Sequence, residues 1–303
     1  MSRMMVSFPH QWTPEQQQSL LHLGDEETKW VDLYDFEAEC PAAAYGLAVD
    51  EEHILAGVNQ KLFVGDRFRQ VGGHLAIISA ETGKLEDIVD LQIRDVHSVA
   101  VDNGNVYLVS SEQNAVLAVD KDKLGTEKPE IVYRAHPAEV DMVHLNSLSA
   151  KNGEILVSGF GLREGERWHT ARNGFIADVQ TGEVLQENIY HPHSVTMAGN
   201  GEVLVCESSK GRLHNVSTGE VIFETPNYLR GIACPDDNTL LIGQSKGRYN
   251  SALPNVIFNA ADPGELVGFA GIYEYDLHER STRLVQDLRT FGPEIYDILL
   301  LPE

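Results

Sequence analysis

The sequence predicts an all-β chain closed into a ring of six sheets, and three observations carry that expectation. An apolar phrase recurs along the 303 residues, each copy giving a strand, a short turn rich in Asp, Asn and Gly, and a second strand. The gaps between copies hold a further apolar hairpin, so each repeat of roughly forty to fifty residues supplies four antiparallel strands. The two chain ends carry the strands still needed for one more sheet. Together these describe a single-domain, six-bladed β-propeller.

The first blade, 43–91, opens with Tyr45-Gly46-Leu47-Ala48-Val49-Asp50 and Ile54-Leu55-Ala56-Gly57. It continues with Leu75-Ala76-Ile77-Ile78, which turns through Glu81-Thr82-Gly83-Lys84 into Ile88-Val89. The second, 97–135, begins at His97-Ser98-Val99-Ala100 and Val106-Tyr107-Leu108-Val109 and adds 116–118 and 131–133. The third, 145–190, begins at Asn146-Ser147-Leu148 and Ile155-Leu156-Val157, then turns through Thr181-Gly182. The fourth, 193–225, begins at His193-Ser194-Val195-Thr196 and Val203-Leu204-Val205, then turns through Thr218-Gly219. The fifth, 230–288, begins at Arg230-Gly231-Ile232-Ala233 and Leu240-Leu241-Ile242 and ends with 272–275 and 284–285. Continuous apolar runs with β-branched residues fit strands buried on both faces.

The sixth blade joins an inner strand at 295–301 to 19–37, with outer strands at Leu20-Leu21-His22 and Trp30 to Tyr34. Sharing it between the termini closes the ring and leaves no long unpaired edge. A local conflict arises at Thr13-Pro14-Glu15-Gln16, which reads as a helix start, so a short helix at 14–19 competes with a strand beginning near residue 19. Closure of the blade favours the strand. Two insertions, 59–73 and 244–270, are expected as long loops over one face that shape a pocket.

Composition narrows the function. Hydrophobic residues make up 42%, enough for a sizeable core, and 46 acids against 23 bases give a formal charge of −23. Such a surface repels nucleic acid and anionic membrane. Cys40, Cys206 and Cys234 are scattered, with no C-x-x-C, so neither a disulfide framework nor a Cys-based zinc site is expected. No signal-like or membrane-spanning apolar run occurs, and the expected setting is a soluble protein of the cytoplasm. The sequon at Asn215 then has no export signal to accompany it. There is no G-x-S-x-G, P-loop, H-E-x-x-H or strand-borne G-x-G-x-x-G, which removes support for nucleotide-dependent hydride transfer and P-loop phosphoryl transfer. Asp120-Lys121-Asp122-Lys123 lacks the spacing of an EF-hand loop.

The motifs His144-Leu145-Asn146-Ser147, His191-Pro192-His193-Ser194, Leu229-Arg230-Gly231-Ile232, Gly243-Gln244-Ser245-Lys246 and Glu294-Ile295-Tyr296-Asp297 resemble those of a bacterial family of conserved hypothetical six-bladed propellers, over most of residues 90–303. The resemblance implies the fold and singles out these residues. The wider superfamily includes gluconolactonase-like and strictosidine-synthase-like propellers, which implies lactone hydrolysis or lyase chemistry at a central site. The acidic metal ligands of the gluconolactonase group are not apparent, and histidines take inner positions instead. In ligand type the pattern is similar to the zinc site of peptidyl-hydroxyglycine amidating lyase.

Inner strands of a propeller run along its channel and begin near one mouth. Aligned phrases put Tyr45, His97, Asn146, His193, Arg230 and Tyr296 at equivalent positions. His144, His191 and Glu294 each stand two residues earlier, where a period of two turns them to the same side. His97, His144 and His193 are thus candidate ligands for zinc or another divalent first-row metal, with Glu294 or Glu207 as an oxygen ligand or base. Such an ion would activate water or polarise a carbonyl or hydroxyl. The alternative is histidines that only hydrogen-bond backbone in a wet channel. Arg230 could clamp a carboxylate or phosphate, or simply pair with Glu294 or Asp297. Tyr45 and Tyr296 are candidate proton donors or plain channel lining. Asn146 and Glu207 are candidate substrate contacts. Lys246 and Arg248 either add positive charge above the ring or belong to a solvated loop.

Three functions fit this layout. The first is a metal-assisted lyase or hydrolase acting on a small, polar, anionic substrate. The second is a non-catalytic propeller binding a ligand or partner protein at the channel mouth. The third is a metal-free acid–base enzyme, which needs a His–Glu or Tyr–Arg pair within hydrogen-bond reach. The sequence leaves the substrate and oligomeric state open.

Overall fold

A computed structural model describes residues 3–9, 18–24, 27–33, 42–64, 67–165, 168–245, 270–292 and 294–302. Its strands form six antiparallel sheets of four, arranged as a six-bladed propeller. Blade 6 holds β1 (Met4–Ser7), β2 (Leu20–Leu23) and β3 (Thr28–Trp30). Blade 1 holds β4 (Ala42–Asp50), β5 (His53–Val64), β6 (Arg67–Ser79) and β7 (Leu85–Ile93). Blade 2 holds β8 (Val96–Asp102), β9 (Asn105–Ser110), β10 (Ala115–Asp120) and β11 (Glu130–Arg134). Blade 3 holds β12 (Leu145–Lys151), β13 (Glu154–Gly159), β14 (Gly174–Asp178) and β15 (Val184–Ile189). Blade 4 holds β16 (Pro192–Met197), β17 (Val203–Glu207), β18 (Arg212–Asn215) and β19 (Val221–Glu224). Blade 5 holds β20 (Tyr228–Ala233), β21 (Thr239–Ser245), β22 (Gly271–Asp276) and β23 (Ser281–Asp287). The inner strand of blade 6 is β24 (Asp297–Leu300), paired directly with β1 in the register Met4↔Leu300 to Ser7↔Asp297.

The turns follow from their sequences. Asn103-Gly104 and Asn152-Gly153 each connect paired strands with both residues at positive φ (49° and 74°, 54° and 87°), the two-residue geometry that matches strand twist.

The apolar core is divided among the joints between blades. Because side chains alternate along a strand, Leu204 and Cys206 of β17 pack toward blade 5, whereas Val203 and Val205 pack toward blade 3. Likewise Met4 and Val6 of β1 face blade 5, and Met5 faces blade 1. This explains why the second strands of these blades, β17 and β1, read as nearly continuous apolar runs, since both faces are covered.

Polar side chains pin the inner strands to one another around the axis. At equivalent positions in successive blades stand Gly46, Ser98, Ser147, Ser194, Gly231 and Asp297. The Ser98 Oγ accepts the Leu148 N–H (3.1 Å), Ser147 accepts Val195 (3.0 Å), Ser194 accepts Gly231 (2.8 Å), and Asp297 Oδ2 accepts Leu47 (3.0 Å). Each is worth about 1 kcal/mol net, and together they fix the stagger of one blade against the next. Near the mouth, further joints are tied by Ser7 to Tyr45 O, Ser111 to Leu145 O, Ser208 to Leu229 O and the Ile295 N–H to Ser245.

Three sequence expectations need correction. The second strand of blade 6 is Met4–Ser7, which the sequence pattern did not single out because it carries no copy of the repeated phrase. The outer strand there is Thr28–Trp30, with residues 31–33 outside it, rather than a strand continuing to Tyr34. The 59–73 insertion is no loop. It extends β5 and β6 into a long hairpin whose pairing runs from His53↔Ser79 to Val64↔Arg67. Of the segment where a helix competes with a strand, residues 14–17 lie outside the described residues and the strand begins at Leu20; most of 244–270 also lies outside the described residues.

Candidate functional site

The aligned ring residues meet at the axis. The ring of Tyr45 lies 4.8 Å from that of His97 and 5.0 Å from that of Tyr296. Tyr296 also contacts His97 (6.1 Å) and His193 (6.2 Å), and its hydroxyl donates to the Asn146 carbonyl (2.9 Å). The Arg230 guanidinium sits over the faces of Tyr228 (4.8 Å) and Tyr296 (5.2 Å). Tyr45, His97, Asn146, His193, Arg230 and Tyr296 are all buried, so they form a plug across the channel. On its far side the channel opens into a cavity of about 280 Å³ lined by residues including Ser98, Ser147, Ser149, Thr196 and Asp297.

Each histidine is oriented by its Nδ1. In blade 2, His97 Nδ1 lies 2.8 Å from Asp95 Oδ1. In blade 3, His144 Nδ1 lies 2.7 Å from Asp141 Oδ2, and Asp141 Oδ1 also accepts the His144 N–H (2.9 Å). A carboxylate can only accept, so Nδ1–H donates, and in the neutral ring it is Nε2 that carries the lone pair. In blade 4, Ser208 donates its hydroxyl to the Leu229 carbonyl (2.6 Å) and therefore accepts from His193 Nδ1 (2.8 Å). The same tautomer results. Burial, with Arg230, His191 and His144 nearby, holds His193 well below the usual imidazole range. Burial also lowers His191 to about 4.

The structure brings His97 and His144 together, with ring centroids 5.0 Å apart. His193 meets them through shared neighbours, Phe160 (5.0 Å from His193, 4.7 Å from His144) and Tyr296. Among the described residues no three His, Cys, Asp or Glu side chains are grouped to hold a metal ion. Phe160 stacks on His191 at 4.5 Å, and Trp168 stacks on His144 at 4.7 Å.

The remaining candidates divide. Arg230 Nη1 pairs with Glu294 Oε1 at 2.6 Å, and both groups are buried. Burial weakens the guanidinium's hold on its proton, but Tyr228, Glu294 and Tyr296 outweigh that and keep it firmly charged. Its Nε is buried without a hydrogen-bond partner among the described residues. Burial pushes the Tyr296 hydroxyl well above its usual value, so it stays protonated. Asn146 is fully buried and donates to the His144 carbonyl (3.2 Å) while accepting from Ser158 (2.9 Å). Glu207 is held at the blade, where it accepts the Tyr190 N–H (3.1 Å) and contacts His214 (2.9 Å) and Lys210 (3.1 Å). Lys246 and Arg248 lie outside the described residues.

Asp95, Asp141, Tyr228, Phe160 and Trp168 were not singled out from the sequence. The two aspartates had a signal, since each precedes its histidine by two or three residues in Asp95-Val96-His97 and Asp141-Met142-Val143-His144. The rings had none, because only the propeller's closure brings them to the axis. The period-two argument for His144 and His191 also fails in detail. Both have positive φ (47° and 52°) and are not extended residues, yet their rings still lie at the mouth.

A plugged channel with histidine–aspartate pairs and a buried arginine at one mouth defines a six-bladed β-propeller with a polar axial site. The chain belongs to the family described as a domain of unknown function (DUF4915), whose model matches residues 10–303. No curated protein matches it. Among solved structures, the chain is similar to one in a nidogen/laminin complex (TM-score 0.64, 11% identity, 100% of this chain and 99% of that one). It is also similar to a Thermus thermophilus protein described as an oxidoreductase (glucose dehydrogenase), with TM-score 0.48 and 12% identity over 75% of this chain and 85% of that one. At 11% identity the first of these likenesses concerns the fold alone. Among the described residues no helix is long and apolar enough to cross a membrane.

Proposed function

We propose that the mouth is an acid–base catalytic site, of lyase or hydrolase type, for a small anionic molecule. The observation that carries this reading is the pair of neighbouring dyads, His97–Asp95 and His144–Asp141, beside the buried, charged Arg230. A carboxylate behind Nδ1 orients the ring and stabilises the imidazolium once Nε2 has taken a proton. Either dyad can serve as the base, drawing a proton from substrate or water. Arg230 supplies the charge that selects an anion, with its orphaned Nε as an unused donor. Tyr296 acts as a hydrogen-bond donor and not as a base. His193 stays neutral and offers an acceptor.

The test is a panel of small hydroxy, keto, amino and sugar acids and phosphates, read first by thermal shift and then by NMR for turnover. A hit should be lost in Arg230→Met for binding, and in His97→Asn or His144→Asn for turnover. Binding without turnover would make the mouth a ligand site only, and a panel with no hit would sink the proposal.

A divalent metal is the second reading, favoured by the Nδ1–carboxylate contacts, since metal-ligating histidines commonly carry such a partner on the other nitrogen. His97 and His144 would hold it. The ion would supply Lewis-acid activation of water or a carbonyl. Elemental analysis of protein purified without a histidine tag decides the matter, with stoichiometric metal lost in His97→Ala expected and metal-free protein overturning it.

A further inference from the structure

Three site residues share a backbone feature. Asp95, His144 and His191 each stand two positions before the ring residue of their blade (His97, Asn146, His193), and each has a left-handed φ, at 56°, 47° and 52°. Non-glycine residues there are uncommon and persist only where the surroundings over-determine them. Repetition of the same departure in three successive blades, always at the mouth, calls for something that holds it.

A buried polar side chain grips the chain beside each one. Asn59 of β5, fully buried, takes the Val96 peptide at both ends. Its Nδ2 donates to Val96 O (2.9 Å) and its Oδ1 accepts Val96 N–H (2.8 Å). Val96 is the residue between Asp95 and His97. Asn114, also fully buried, makes four bonds to the loop leading into His144. It donates to Ala138 O (2.9 Å) and Val140 O (2.7 Å) and accepts from Met142 (2.8 Å) and Val143 (3.2 Å). That loop carries Asp141. In blade 4 Glu207 accepts the N–H of Tyr190, the neighbour of His191. The two asparagines both come from the preceding blade, so the dyads are set by the joint between blades.

We propose that Asn59 and Asn114, with Glu207 as the counterpart in blade 4, are positioning residues. They hold Asp95, His144 and His191 in the left-handed conformation that places the dyads at the mouth. This builds on the reading of the mouth as the working site, but its test needs no substrate. In histidine-labelled full-length protein, the Nδ1–H protons of His97 and His144, bonded to carboxylates, give distinct downfield NMR signals. Asn114→Ala should abolish the His144 signal and leave that of His97, Asn59→Ala should do the reverse, and the exposed His278 should serve as an unmoved reference. If an alanine variant fails to fold, Asn114→Asp and Asn59→Asp replace it, because they keep the accepted bonds and lose only the donated ones. Wild-type His signals in a folded variant would overturn the proposal. If the signals move as stated while ligand binding and turnover persist, the catalytic reading fails and the positioning role stands.

Discussion

The Arg230–Glu294 pair offers the most direct test of the charge at the mouth. The two residues are 5% and 6% exposed, and their side chains lie 2.6 Å apart. Glu294→Ala removes the carboxylate and leaves a guanidinium that cannot shed its proton. Among the described residues it then keeps only the Tyr228 hydroxyl, at 3.5 Å, within hydrogen-bond reach. The faces of Tyr228 and Tyr296 are present in both proteins and do not offset the change. Breaking a buried pair from one side costs about 3–5 kcal/mol. An unfolding entropy of about 2.1 cal/mol/K per residue over 303 residues turns that into a fall in melting temperature of about 5–8 °C. Melting curves at pH 7.5 measure it, and an added carboxylate supplies the second arm. Acetate at ten times a Kd of about 10 mM should restore about 1.4 kcal/mol, or about 2 °C, to the variant. In wild type Glu294 already holds Nη1, so acetate should stabilise it less than the variant, each measured against a chloride control of equal ionic strength. A variant melting within a degree of wild type, or an acetate effect equal in both, would refute the view that Arg230 is a charge confined at the mouth and ready for an anion.

Three further outcomes follow from the same structure. His191, lowered to about 4 against 6.5, leaves the unfolded chain to take up a proton first, so stability should fall as pH drops from about 6.5 toward 4, and His191→Asn should flatten that slope in denaturant titrations. Asp297 is raised from 3.8 to about 7 by burial, against the N–H groups of Leu47 and Ile298; the folded state therefore binds the extra proton, and wild type should lose stability relative to Asp297→Asn as pH rises from about 4 to 7. A constant difference across that range would exclude the channel carboxyl as its source. Gly46→Ala should be severely destabilised, because its Cβ would strike the Ser98 Cα and lie 2.9 Å from Val99 N; Ala48→Gly, one strand period away, should show only the ordinary cost of about 1 kcal/mol in melting.

The ring order of the site was legible because a repeat converts sequence position into angular position. Tyr45, His97, Asn146, His193, Arg230 and Tyr296 could be aligned from their phrases, and each reaches the axis in the structure. Arg230's partner was one of two carboxylates in its neighbourhood of the ring, and geometry selects Glu294, leaving Asp297 to the Leu47 N–H. Glu207 shows where pattern reasoning stops. The sequence offers it as an oxygen ligand, base or substrate contact, but its contacts with His214, Lys210 and the Tyr190 N–H keep it at its blade.

By itself the sequence determined the number of blades, the order of their inner strands and the residue type at each point of the ring, since these depend on local period and turn chemistry. Tertiary structure alone decided how those points combine. Met4–Ser7 becomes a strand only because β24 arrives beside it, and the 59–73 segment becomes a hairpin only because its two arms pair. His97 and His144 become dyads only where left-handed residues bring an aspartate behind each ring, with buried asparagines of the preceding blade gripping the chain alongside. The physical reason is that a strand's period fixes which way side chains alternate, whereas contacts between blades, which no local pattern encodes, fix which side chains meet.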